Sequence, residues 1–242
     1  MRSVNASVLA APIVIALLFG SCLIGLDRLA FRDVSHFYTP LYDYVAARSS
    51  EQWLPLWNPL DQTGVPLAGD TTGAVFYPPR YVLFALPISS EVAISWYVAL
   101  HLILASATAR IAARWAGIGP HAATIAGIVY PLSGSLLFLY TNPPFLVSAA
   151  WLPLAIGALL AGERLSTRTS VLVAGVSMAM MILGGDPQTA LHAMLVVGFA
   201  WTVQTLRRQQ TAVRFGALVA APALAAVLAA PQLAASISWS RQ

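Results

Sequence analysis

Residues Glu91–Ala109, EVAISWYVALHLILASATA, decide the fold class. Past the opening glutamate the run holds no charged side chain and one histidine, His101. A helix rising 1.5 Å per residue needs about 20 such residues to cross a hydrocarbon core of roughly 30 Å. Working outward, comparable runs lie at about 7–26, 121–140, 145–162, 169–184, 188–206 and 214–234. Lipid offers the backbone no hydrogen-bond partners, so each run must be helical. The expectation is an all-α integral membrane protein, a polytopic bundle of about seven transmembrane helices. It forms one membrane domain over 1–242, with a long external first loop, 27–90, containing short interfacial helices. Composition agrees: only 9% of residues are charged, far below the quarter or so of soluble domains, and mean hydropathy is +0.74.

The net charge of +4 comes with 13 basic residues, every one an arginine, and they cluster at span ends. Arg2 precedes the first run; Arg110 and Arg114 follow the second; Arg164 and Arg168 follow the fourth; Arg207, Arg208 and Arg214 separate the sixth and seventh. The short links Thr141–Pro144 and Gly185–Pro187 carry none. Positive residues collect on the cytoplasmic side, which sets the N-terminus inside and loop 27–90, both short links and the C-terminus outside. No aromatic residues interleave with a basic stripe, so nucleic acid is not an expected partner; membrane lipid is. The single cysteine, Cys22, forms no internal disulfide. Phe19-Gly20-Ser21-Cys22 is a poor lipoprotein cleavage box, and the apolar run continues past it through Leu26, longer than a cleaved signal core.

A connection of about 60 residues is too long to be only a link. Loop 27–90 is dense in Pro, Trp, Tyr and Asp, among them Trp53, Trp57, Asp61, Asp70 and Tyr77. Val34, Phe37, Tyr38, Leu41, Tyr44 and Val45 fall at helical spacing, which predicts a helix lying in the interface and restarted at Thr39-Pro40. Arg80–Pro87 reads as a second interfacial piece.

Chemistry-bearing side chains concentrate on this same side. Asp33, Asp43, Glu51, Asp61, Asp70 and Asp186 all map outside. Asp43, Glu51 and Asp61 read as solvated charges. Asp186 precedes Pro187, a helix-start signature, and also begins a polar group with Gln188 and His192, four residues apart on one helix face. Asp33 is either a cap or a reactive carboxylate at the lipid surface. His101 reads as interhelical glue, His36 and His121 as solvated or interfacial. No HExxH, DxD, cysteine cluster or glycine-rich phosphate loop occurs, so no cofactor is implied. A divalent ion between Asp33 and Asp186 is compatible with their oxygen ligands.

Arg32-Asp33, Tyr38-Thr39-Pro40, Leu56-Trp57-Asn58-Pro59, Gly64-Val65-Pro66-Leu67 and Phe76-Tyr77-Pro78-Pro79 together resemble the first external loop of bacterial YfhO-type membrane proteins. In order after them come His101-Leu102, Ala109–Gly117, Val129-Tyr130-Pro131-Leu132-Ser133-Gly134, Ala150-Trp151-Leu152-Pro153 and Gly184-Gly185-Asp186-Pro187-Gln188. That family is similar to the GT-C glycosyltransferases, which take sugar from a polyprenyl-phosphate donor on the outer face of the cytoplasmic membrane. The resemblance implies that Asp33 activates or orients an acceptor hydroxyl, and that an outer arginine, Arg32 or Arg80 by position, binds the donor phosphate. Asp70, Asp186, Gln188 and His192 would line the substrate site. Family members are longer, so the chain is expected to be the N-terminal portion of a larger protein. Two other readings stay open: a lipid or small-solute transporter or flippase, which would place paired charges near mid-membrane, and a non-catalytic assembly subunit.

Overall fold

The structure is a computed structural model and describes residues 6–52, 54–61, 63–207 and 214–241. Arg2, Trp53 and Arg208 lie outside the described residues. Every regular element among the described residues is helical; the one extended pairing is an isolated bridge between Asn58 and Val65. Among the described residues, four helices are long and apolar enough to cross a membrane, or five if a bent pair counts as one.

The expected runs appear as α1 (Ala10–Leu23), α4 (Ser90–Trp115), α5 (Pro120–Val129) with α6 (Gly134–Phe138), α7 (Pro143–Leu160), α8 (Thr167–Leu183), α9 (Pro187–Leu206) and α10 (Phe215–Leu228) with α11 (Ala230–Trp239). Between α1 and α4 lie a π-helical turn at Val34–Tyr38, α2 (Thr39–Glu51) and α3 (Pro78–Phe84). Helices α4 and α7 form the central pair. Helices α1 and α5 pack on α4, α8 and α9 on α7, and α10 on α8.

Helix α4 runs on past the expected 109 to Trp115, and α1 stops at Leu23, short of the expected 26; two further departures are set by proline. The run at 121–140 is broken after Val129, because Pro131 has no N–H and Ser133 caps a fresh start by accepting from the Leu136 N–H. The run at 214–234 ends at Leu228; Pro231 restarts the chain as α11, and the pair bends by 73°. Helix α11 then folds onto the 66–70 segment, where Gln232 Nε2 donates to the Ala68 carbonyl at 2.9 Å and Ser236 Oγ to that of Gly69 at 2.8 Å. Pro153, inside α7, is absorbed without a break. It cannot donate to the Ala149 carbonyl, and the Tyr130 hydroxyl takes that acceptor at 2.8 Å. Side chains of neighbouring helices satisfy freed backbone groups in this way when no water is at hand.

Apolar side chains point outward along the long helices, as on Leu17 (77% exposed), Ile125 (60%) and Phe199 (72%). Such faces suit lipid and not water. Inside, small residues bring backbones together. At Gly157 an added Cβ would lie 2.7 Å from the Ala112 Cβ on α4. Gly157→Leu is therefore expected to destabilise the α4–α7 pair by about 1–3 kcal/mol through overpacking, read as a lower unfolding midpoint in detergent. Unchanged stability would show that this contact is loose.

Candidate functional site

The head of the 27–90 loop is held by an aromatic contact. Phe31 meets Phe138 edge-on at 6.5 Å, and the Arg32 guanidinium lies over the same ring at 5.6 Å. Arg32 itself adopts φ +59°, a left-handed conformation that is costly outside glycine. The next residue, Asp33, is exposed and starts the π-helical turn without using its side chain as a cap. Pro40 explains that turn: with no N–H it cannot bond the His36 carbonyl, and the ladder widens so that the Thr39 N–H reaches the Val34 carbonyl. The Thr39 hydroxyl reinforces it at 2.6 Å. The wider turn also rotates the buried face. Val34, Tyr38, Tyr42 and Val45 pack inward, while Phe37, expected on that face, is 41% exposed.

Tyr38 joins this helix to the link before α7. Its hydroxyl donates to Asn142 Oδ1 at 2.9 Å. Burial first, then the charges of Asp33 and Asp70, push the Tyr38 phenol up to about 12, with the Asn142 bond acting against them. Both carboxylates therefore stand close enough to Tyr38 to be felt. Asp70 is committed locally, accepting from the Thr72 N–H at 2.9 Å and the Thr72 hydroxyl at 2.7 Å. Asp186 is 2% exposed and caps α9, accepting from the Thr189 N–H at 3.0 Å and the Thr189 hydroxyl at 2.5 Å. Gly185 has φ +110°, and an added Cβ there would meet the Thr71 carbonyl oxygen at 2.8 Å. The Asp70–Thr71 turn, the Gly185–Asp186 link and the Tyr38–Asn142 bond thus gather at one end of the bundle. Among the three acids expected in the site, Asp33 alone has its carboxylate uncommitted.

Other expected site residues fall elsewhere. Gln188 and His192 share a face of α9, but it is the face turned away from the packed residues Ala190, Ala193 and Val197. Leu191, Leu195 and Phe199 surround them, each more than half exposed. The expected polar cluster therefore splits: Asp186 turns inward and the other two do not, because helical phase sends the two sets to opposite sides. Arg80 is fully buried, which corrects its expected place at the surface. Tyr77, Pro78, Pro79 and Tyr81 flank it, and an arginine among such neighbours stacks instead of reaching solvent. His101 is buried glue as expected, bonded through Nε2 to the Tyr77 hydroxyl at 2.8 Å and through Nδ1 to the Tyr97 carbonyl at 2.6 Å. Trp151 Nε1 donates to the same Tyr77 oxygen at 3.0 Å.

Reading the sequence missed two things. Asn142 entered only as part of the arginine-free link Thr141–Pro144, yet its side chain accepts from the Tyr38 hydroxyl and makes no cap bond to α7. A polar cleft of about 220 Å³ lies on the other side of the Asp33 turn, lined by Arg28, Ser35, His36, Thr39 and Glu91. It supplies a cation and an acid that nothing in the local pattern marked. No group of three or more His, Cys, Asp or Glu side chains suited to a metal occurs among the described residues. Comparison of the chain with protein families, with curated proteins and with solved structures gives no match.

Proposed function

We propose that the chain is a seven-pass membrane protein of the cytoplasmic membrane, its N-terminus inside and loop 27–90 outside, that works as part of a GT-C-like glycosyltransferase. In the proposed reaction Asp33 takes the proton of an acceptor hydroxyl as its oxygen bonds to the anomeric carbon. The bond from that carbon to the donor phosphate breaks, and polyprenyl phosphate leaves. Arg32, beside Asp33 and exposed, is the arginine suited to the donor phosphate; guanidinium matches phosphate oxygens in a bidentate fork.

One observation carries this reading above the others. Asp33 is an exposed carboxylate with no cap to make, set at the start of the first helix of loop 27–90, whereas Asp70 and Asp186 are each committed to a helix start of their own. Charged groups retained near a bilayer are costly unless they act. The rival transporter reading lacks such support, since the long helices carry few ionisable groups and His101 is occupied by Tyr77 and Tyr97.

Sidedness is the first test. Reporter fusions after Asn142 and after Asp186 are expected to register outside, and fusions after Arg114 and after Arg168 inside. Reversal at any two of these four positions would put Asp33 on the wrong side for a lipid-linked donor. Donor cleavage by membranes carrying Asp33→Asn then tests the chemistry.

A further inference from the structure

Arg80 leaves a charge that the fold does not balance. Its side chain is 0% exposed. Nε donates to the Ala74 carbonyl at 3.1 Å, and the guanidinium stacks 4.3 Å over the Tyr81 ring, with the Tyr42 ring at 6.0 Å. Nη1 and Nη2 are both buried without a hydrogen-bond partner. So are the hydroxyls of Tyr42 and Tyr97, which lie near one another but out of hydrogen-bond geometry. These four atoms share one neighbourhood: the Tyr42 and Tyr97 rings meet edge-on at 5.7 Å, and the Arg80 charge reaches both phenols. The side chains around Arg80 are those of Tyr81, Tyr42 and Tyr97, phenols that carry no charge, and no carboxylate stands among them. The one ion pair among the described residues, Arg48 with Glu51, lies elsewhere.

The chemistry of these groups selects a ligand class. Arginine does not give up its proton in proteins, and its nitrogens only donate. A buried cation with nothing to meet its charge is strongly disfavoured. The two phenols can turn their O–H toward a shared point, so every unsatisfied group here is able to donate. A water molecule would accept two of these bonds and leave the charge unbalanced; an anion meets both needs. The surroundings limit its size. Val34, Ala74, Tyr77 and Ile94 belong to the same packed cluster as Tyr42 and Tyr97, and each is 0% or 1% exposed. A lipid phosphate would need a channel for its tail, and these side chains close the space around the phenols.

We propose that a small inorganic anion of halide size, chloride in the cell, sits between the Arg80 guanidinium and the hydroxyls of Tyr42 and Tyr97. It ties α2, α3 and α4 together and so fastens loop 27–90 to the long helices. The site uses neither Asp33 nor Arg32 and holds whether or not the chain transfers sugar.

The test uses the purified chain in detergent, its unfolding midpoint followed as sodium chloride replaces sodium gluconate at constant ionic strength. A ligand bound only by the folded state raises that midpoint with the logarithm of its concentration. The expected result is a rise with chloride, reproduced by bromide. Tyr42→Phe and Tyr97→Phe keep the rings and remove one donor each; each is expected to weaken apparent chloride affinity about tenfold, as loss of a hydrogen bond to a charged group does. Arg80→Met is expected to abolish the chloride dependence. Should that variant fail to fold, the two phenylalanine exchanges still decide. Equal midpoints in chloride and gluconate, or unaltered chloride affinity in both phenylalanine variants, would overturn the site. Stabilisation by inorganic phosphate but not by chloride would overturn it as well.

Discussion

Membranes carrying Asp33→Asn are expected to transfer sugar about 10²–10⁴-fold more slowly than wild-type membranes, the usual contribution of a general base. Folding should be untouched. Asp33 is exposed and caps no helix, so the isosteric amide removes the proton acceptor and little else. Asp70→Asn and Asp186→Asn serve as internal controls. Each of those carboxylates accepts from a backbone N–H and a threonine hydroxyl, and asparagine caps nearly as well as aspartate. Their effect on transfer is expected to be much smaller than that of Asp33. Wild-type rates in a correctly inserted Asp33→Asn protein would remove the proposed base.

Gly185→Val is expected to give the largest loss of stability at this end of the bundle. At φ +110° any side chain is strained, and the new Cβ would sit 2.8 Å from the Thr71 carbonyl oxygen and 3.0 Å from Pro144 Cβ. Both neighbours are rigid, one backbone and one a proline ring. Backbone strain and overpacking each contribute on the order of 1–3 kcal/mol. The turn bearing Asp70 would have to move, so transfer should fall along with the unfolding midpoint. Gly198→Ala is the control: nothing lies within 4 Å of its added Cβ, and alanine is the better helix former. A Gly185→Val protein as stable as wild type would mean that the Gly185–Thr71 contact does not hold this end together.

The helices were legible because length and apolarity alone mark a membrane span, and their ends were readable where glycine, proline or a capping side chain stood. The breaks were harder. Pro131, Pro153 and Pro222 all lie within apolar runs, yet the first breaks its helix while the other two remain inside α7 and α10. For Pro153 the difference is Tyr130, whose hydroxyl takes the freed carbonyl, and that contact depends on tertiary packing. The helix expected through Val34–Val45, restarted at Thr39-Pro40, is present as Val34–Tyr38 and α2, but its buried face was set by a π-helical turn, which a spacing of 3.6 residues does not anticipate.

For the candidate site, sequence showed which side chains existed but not which way they turned. Gln188 and His192 do share a face, as their spacing requires. Yet the apolar side chains of α9 are spread around its whole circumference, so no apolar stripe revealed which face was packed. The Tyr38–Asn142 bond joins residues 104 apart in the chain, beyond any local pattern. Arg80 looked like a surface cation because it opens the short piece 80–87 of a long loop; only the packed structure shows tyrosines enclosing it.

Right-side-out membrane vesicles, loaded with a polyprenyl-phosphate hexose labelled in the sugar, put the outer-face reaction to the most direct test. The measured quantity is label leaving the lipid fraction for acceptors already present in those membranes. With the chain present, label is expected to leave the lipid and polyprenyl phosphate to accumulate, and both changes should vanish with Asp33→Asn. Label that stays lipid-linked at the same rate with and without the chain, or that crosses the bilayer still attached to its lipid, would contradict the proposed transfer.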